Sequence, residues 1–170
     1  MKKRILSIVV LIICFVSSCG YAAHKKYYND ISDYQKIWEL SGFRHGYKDK
    51  SPLFPIEIAD LDVKKFYCRY DEQLPLGEGV QILLEIDYDD LAFKSELDRI
   101  SEIAVEDKEN FTDNEFLVYY IQLGKNSCWE YALIDEKEQI VNYIFLYNLP
   151  KKEIELENSF LPNNYVDYGE

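Results

Sequence analysis

The chain has 170 residues, of which 48% are hydrophobic and 29% charged, a balance typical of one folded domain and not of a disordered chain. Its formal net charge of −12 argues against nucleic acid as a partner, and against attachment to anionic lipid through surface charge. Both kinds of binding need Lys and Arg to neutralise phosphate groups, and the sequence shows no local basic patch.

The N-terminal residues have the architecture of a signal peptide. Three positive residues at positions 2–4 precede an apolar run over residues 5–16 that only Ser7 interrupts. This run is too short for a membrane-spanning helix, which needs about 20 apolar residues. We therefore expect residues 1–18 to be removed, and the loss of three positive charges takes the net charge from −12 to −15.

Residues 16–20 read Val-Ser-Ser-Cys-Gly, which resembles the lipobox of bacterial lipoproteins. The resemblance implies cleavage before Cys19 and a thioether between its sulfur and a diacylglyceryl lipid, with acyl chains of the palmitate type. Two acyl chains are enough for stable membrane residence. Residues 19–29 are then expected to form a short tether at the outer face of the cell membrane. The alternatives are an ordinary secretory signal or an uncleaved membrane helix.

The first half of the body is predicted to contain a helix and a β-hairpin. Asp30 or Ser32 can cap a helix that continues to Leu40. Residues 65–72 and 80–88 each alternate between apolar and polar side chains, and turn residues separate them. This alternation predicts two antiparallel strands.

The second half is predicted to contain one long helix and a meander of three strands. Asp89 or Asp90 opens the helix. Its apolar stripe consists of Phe93, Leu97, Ile100, Ile103 and Ala104. Strand-like runs follow at residues 116–123, 129–135 and 139–147, and their short connections favour antiparallel pairing.

The order helix-strand-strand-helix-strand-strand-strand predicts a single α+β domain over residues 30–150, with an antiparallel sheet of about five strands packed on one face by the long helix. Residues 151–170 are expected to form a surface tail. The opposite face of the sheet is predicted to be aromatic, with Tyr119, Tyr143, Phe145 and Tyr147. Such a face needs a cover, either the first helix and the tail or a protein or glycan partner.

Few residues suggest chemistry. Cys68 and Cys128 are either a disulfide or two buried thiols, and they are too far apart in sequence for a zinc site. The two histidines, His24 and His45, form no recognisable catalytic set. The acidic run at residues 106–115 lacks the glycine of a helix-loop-helix calcium loop. No metal and no cofactor are predicted.

These features lead to a hypothesis of a lipid-anchored, non-enzymatic binding or interaction module at the cell envelope, held to the membrane by Cys19. One alternative is a carboxylate-dependent hydrolase of envelope polymers, which would need two facing acids in a cleft. Another is an inhibitor or immunity protein that blocks a basic toxin or protease with an acidic loop such as residues 105–115. No catalytic residue can be assigned from the sequence.

Overall fold

The computed structural model describes residues 24–39, 52–73, 77–107, 111, 115–122, 128–163 and 165. Within these residues the chain forms one antiparallel sheet of seven strands with two short α-helices. No helix in the described ranges is long and apolar enough to cross a membrane. Cys19, Leu40 and His45 lie outside the described residues.

The strands are β1 (His24–Tyr28), β2 (Asp62–Gln73), β3 (Gly77–Asp87), β4 (Val105–Glu106), β5 (Leu117–Gln122), β6 (Cys128–Asp135) and β7 (Ile140–Tyr147). The helices are α1 (Tyr34–Ile37), which follows a 3-10 turn at Ile31–Asp33, and α2 (Asp90–Ile103). The strands lie in the order β1-β2-β3-β7-β6-β5-β4. The expected number of five strands was therefore wrong. The additional strands are β1, which lies in the expected tether, and β4, which lies between α2 and the predicted meander.

The predicted hairpin of β2 and β3 is confirmed. Phe66 lies opposite Leu84 and Cys68 opposite Ile82, so the alternating apolar side chains of both strands share one face. On the outer side of β2, the edge strand β1 pairs only with residues 68–72. The first described residue of the sheet is His24.

The predicted meander of β5, β6 and β7 is also confirmed, because each of these strands pairs antiparallel with the next. Its last strand, β7, pairs with β3, and this contact joins the two halves of the chain. The strands β3, β7 and β6 consequently lie in the middle of the sheet. Most of their side chains are buried on both faces.

One face of the sheet is covered by α2, by α1 and by residues 52–61. As predicted, α2 begins after Asp89, whose carboxylate accepts hydrogen bonds from the backbone N–H groups of Leu91 and Ala92 at 3.0 and 2.9 Å. Phe93 and Ile100 of α2 are buried against the strands. The first helix is shorter than expected, because α1 begins at Tyr34 and ends at Ile37. Both of these residues are buried.

The other face, called the second face below, is covered by residues 154–161, by Tyr165 and by Phe111. Asn148 has a φ of 49°, a left-handed conformation that Asn tolerates, and it turns the chain back after β7. The Tyr131 hydroxyl then donates to the carbonyl of Phe160, and the Tyr165 hydroxyl donates to the carbonyl of Leu149, both at 2.7 Å. The expected surface tail is thus packed on the sheet at least as far as Tyr165.

Arg69 of β2 holds this C-terminal segment on the second face. Its side chain is 1% exposed, and it donates two hydrogen bonds to the fully buried Asp71 at 2.9 and 2.5 Å. It also donates to the carbonyl and the carboxylate of Glu153, and to the Glu155 carboxylate at 3.2 Å. One guanidinium thus ties β2 to residues 153–155 through charge-assisted bonds.

We expect Arg69→Met to lower the free energy of unfolding by about 3–5 kcal/mol, because Asp71 would remain buried without its partner. The double variant Arg69→Met/Asp71→Leu should recover most of this loss, because it removes both buried charges. Urea unfolding at pH 7 measures both values, with the exposed Lys137→Met as the control. If the free energy of unfolding of Arg69→Met falls by less than about 1 kcal/mol, Arg69 does not hold the C-terminal segment in this way.

Candidate functional site

An open groove lies at the open end of the β2–β3 hairpin, away from its turn and beside the first residues of α2. It has a volume of about 360 Å³, and we call it the acidic groove; its lining residues are Asp60, Leu61, Asp62, Asp87, Tyr88, Asp89 and Ala92. Lys64 contacts Asp62 and Asp87 at 2.7 and 3.1 Å and neutralises part of this charge. The remaining carboxylates give the groove a negative potential that suits cationic groups.

The wall of the groove leads into the core through Tyr88. Its hydroxyl lies 2.7 Å from the Tyr143 hydroxyl, which in turn donates to the Glu96 carboxylate at 2.5 Å. Since Tyr143 uses its only proton for Glu96, Tyr88 is the donor between the two tyrosines. Burial raises the pKa of the Tyr143 hydroxyl well above its ordinary value, so this side chain stays neutral.

Glu96 passes the network on to Arg99, one turn later on α2. Arg99 donates to both carboxylate oxygens of Glu96, at 2.8 and 2.5 Å. Its two terminal nitrogens also donate to the carbonyls of Pro52 and Leu53, each at 2.6 Å. Arg99 thereby fixes the stretch of residues 52–55, which we call the core strap, onto α2.

Glu130 of β6 binds the same core strap from the side of the sheet. One carboxylate oxygen accepts the backbone N–H of Leu53 at 2.9 Å, and Phe54 donates a second backbone hydrogen bond. The other oxygen, Oε2, has no hydrogen-bond partner among the described residues. Glu130 is fully buried, so a carboxyl group lies in the middle of the helix-covered core.

Burial raises the pKa of the Glu130 carboxyl to about 8, although the two backbone hydrogen bonds and the charge of Arg99 act in the opposite direction. Glu130 can therefore titrate near neutral pH. Its surroundings do not resemble a hydrolase cleft, because the side chain has no exposed surface through which a substrate could reach it. This arrangement can couple the protonation of Glu130 to the two backbone hydrogen bonds that bind the core strap.

The sequence analysis missed Glu130, although its signal was present. Residues 128–134 form an apolar run in which Glu130 is the one charged residue. Its neighbours at alternate positions, Cys128 and Ala132, lie on the helix-covered face. Those positions place the Glu130 side chain on the same buried face.

Cys68 and Cys128 are both buried thiols, and no disulfide joins them. The sheet order explains why, because Cys68 on β2 and Cys128 on β6 are separated by β3 and β7. Three interstrand spacings amount to about 14 Å, whereas the Cα atoms of a disulfide lie within about 7 Å. Burial also raises the pKa of the Cys68 thiol to about 12, so it stays protonated.

The predicted aromatic face was assigned to the wrong side of the sheet. The four residues lie on the face that α2 covers: Tyr119, Tyr143, Phe145 and Tyr147. Tyr143 and Phe145 are fully enclosed there, at 0% and 1% exposure. The first helix, which was expected to cover the opposite face together with the tail, packs on this same side. The second face carries other aromatic residues, among them Trp129 and Tyr131.

The acidic runs do not come together as a metal centre in the described part of the chain. There, no group of three or more His, Cys, Asp or Glu side chains is placed to hold a metal ion. Within the run at residues 106–115, Glu106 belongs to β4 and Asp107 is buried. Residues 108–110 and 112–114 lie outside the described residues.

Comparison of the chain with protein-family models, with curated proteins and with solved structures finds no match in any of the three.

The titration of Glu130 gives a prediction for stability. Because its pKa is higher in the folded protein than in the unfolded chain, Glu130 favours folding below about pH 4.5, and this contribution declines as the pH rises towards 8. Relative to wild type, Glu130→Gln should therefore gain up to about 1.4 kcal/mol per pH unit between these limits. Urea unfolding at several pH values measures the difference.

The exposed Glu102→Gln on α2 is the matched control, and its difference from wild type should stay nearly constant over the same pH range. If the difference for Glu130→Gln is equally constant, Glu130 does not titrate in this window.

Proposed function

We propose that the mature chain is a bacterial lipoprotein, acylated on Cys19, whose domain works as a non-enzymatic interaction module at the outer face of the cell membrane. The observation that carries this proposal is the Val-Ser-Ser-Cys sequence at residues 16–19, directly after an apolar run of signal-peptide length. The acyl chains supply the affinity for the membrane, because an acidic chain gains little from anionic lipid overall.

The start of β1 at His24 supports a domain that lies close to the proposed anchor. The first described strand begins at His24, so five residue steps at most separate Cys19 from the sheet. Whatever its conformation, a chain of that length spans at most about 18 Å. The domain would therefore stay next to the lipid surface, within reach of membrane or envelope partners.

The burial of both sheet faces supports an interaction role over catalysis. The helix-covered face is filled by α1, α2 and the core strap, and the second face by the C-terminal segment. The strongly shifted carboxyl, Glu130, lies inside this packing and not in a cleft. A hydrolase of envelope polymers would need two solvent-accessible acids on either side of a bound sugar.

The acidic groove favours a second candidate, an inhibitor or immunity protein with a basic partner. Its exposed carboxylates could receive Lys or Arg side chains of such a protein. Asp60 is the residue to test, since Asp62 and Asp87 bind Lys64 and Asp89 caps α2. A basic partner that binds wild type but not Asp60→Asn would favour this candidate over a membrane-component binder.

For the anchor, we expect Cys19→Ser to abolish incorporation of a labelled palmitate analogue and to remove the protein from the membrane fraction. The matched control is Cys14→Ser, which changes a cysteine inside the apolar run and should leave labelling intact. Metabolic labelling and cell fractionation measure both effects. Labelling that persists in Cys19→Ser, or that depends on Cys14, would overturn the proposal.

A further inference from the structure

The backbone of the core strap is held by side chains alone. Residues 52–55 form no helix or strand, and no backbone–backbone hydrogen bond holds them within the described ranges. The segment has a proline at each end, and proline has no N–H group, so Leu53 and Phe54 supply its only two backbone donors. Both of them donate to Glu130. One carboxyl group thus accepts every backbone donor of the strap.

The carbonyl groups of the strap are bound by Arg99 and Tyr34, which also face Glu130 from α2 and α1. Arg99 donates to the first two carbonyls, and the Tyr34 hydroxyl donates to the carbonyl of Pro55 at 2.5 Å. The hydrogen bonds to Glu96 raise the pKa of Arg99, and burial raises the pKa of Tyr34. Both side chains therefore keep their protons near neutral pH. Among the described groups that bind the strap, Glu130 is the one that titrates in this range.

The carboxyl group of Glu130 lies between the sheet and the strap, where water does not reach it. Its neighbours on the same face of the sheet are Ile121 and Phe145 across the strands and Cys128 and Ala132 along β6. Of these, only the Cys128 thiol can titrate. The Oε2 atom of Glu130 has no hydrogen-bond partner among the described residues. Because the strap donates directly to this carboxyl group, movement of the strap admits water to Oε2.

We infer that the core strap is a lid controlled by the proton of Glu130: it packs on the core while the carboxyl group is neutral and opens locally when the carboxyl group ionises. A neutral carboxyl group tolerates the dry site, whereas a carboxylate would place charge on an oxygen that has no described partner. Opening hydrates the carboxylate and removes this penalty. The opened strap uncovers the Trp38 and Tyr143 rings, each of which lies 5.8 Å from the Phe54 ring in the closed state.

The size of the effect follows from the two environments of the carboxyl group. Burial raises the pKa of Glu130 to about 8 in the closed domain, and hydration in the open state returns it to 4.5. The contribution of Glu130 to closing is therefore complete below about pH 4.5 and is lost as the pH rises to about 8. Between these limits the ratio of open to closed strap should rise about tenfold per pH unit, by about 3000-fold at most.

Amide hydrogen exchange of the full-length protein, followed by NMR between about pH 5.5 and 7.5, measures this ratio. After correction for intrinsic exchange, the opening constant of the Leu53 and Phe54 amides should rise about tenfold per pH unit. The Glu155 amide, which donates to Gln81 on the second face, is the internal control, and its opening constant should stay nearly constant. Amides of the paired strands β3 and β7 report global unfolding and should exchange more slowly at every pH.

Two variants separate the proton of Glu130 from the packing of the strap. Glu130→Gln cannot ionise, so the opening constant of the Leu53 amide should no longer depend on pH, whereas the exposed Glu102→Gln should keep the wild-type slope. Phe54→Ala removes a buried ring and should raise the opening constant at every pH without changing the slope. A slope that persists in Glu130→Gln would overturn the inference. So would wild-type strap amides that exchange at the rate of β3 and β7, or whose opening constant does not change with pH.

Discussion

The pairing of β3 with β7 is the contact on which the rest of the structure depends. It joins a hairpin from the first half of the chain to a meander from the second half, and it places three strands where water reaches neither face. Strands buried on both sides need two covers. The helices and the core strap supply one, and the C-terminal segment supplies the other. The domain therefore has two hydrophobic clusters separated by one sheet.

Each cover is held by a buried ionisable group of the sheet. On the helix-covered face, Glu130 binds the backbone of the core strap; on the second face, Arg69 binds the C-terminal segment. Such groups are unfavourable to bury alone, and each makes hydrogen bonds with the element that it holds. A packed apolar face alone would bind either cover with less directional specificity. These polar contacts fix where the covering segments lie.

The elements whose inner face the sequence predicted correctly are those with one buried and one polar side. The alternation in β2 and the stripe on α2, with Asp89 as its cap, identify both elements and their inner faces. The same rule fails for β6 and β7, because nearly all their side chains are apolar and alternation cannot distinguish the faces. That is why Tyr143 was assigned to the wrong side. Neither short edge strand has a pattern of its own, and the network around Glu130 depends on contacts across the sequence that no local pattern contains.

The position of the two thiols makes the folding of the described sheet independent of disulfide formation. Cys68 and Cys128 are three strands apart and enclosed, so the native domain is indifferent to the redox state of its compartment. An oxidising folding catalyst is not required for this architecture. The thiols become reactive only when the centre of the sheet opens, and their rate of alkylation therefore reports the frequency of that opening. The two cysteines thus serve as built-in probes of local unfolding, one on each side of the junction between β3 and β7.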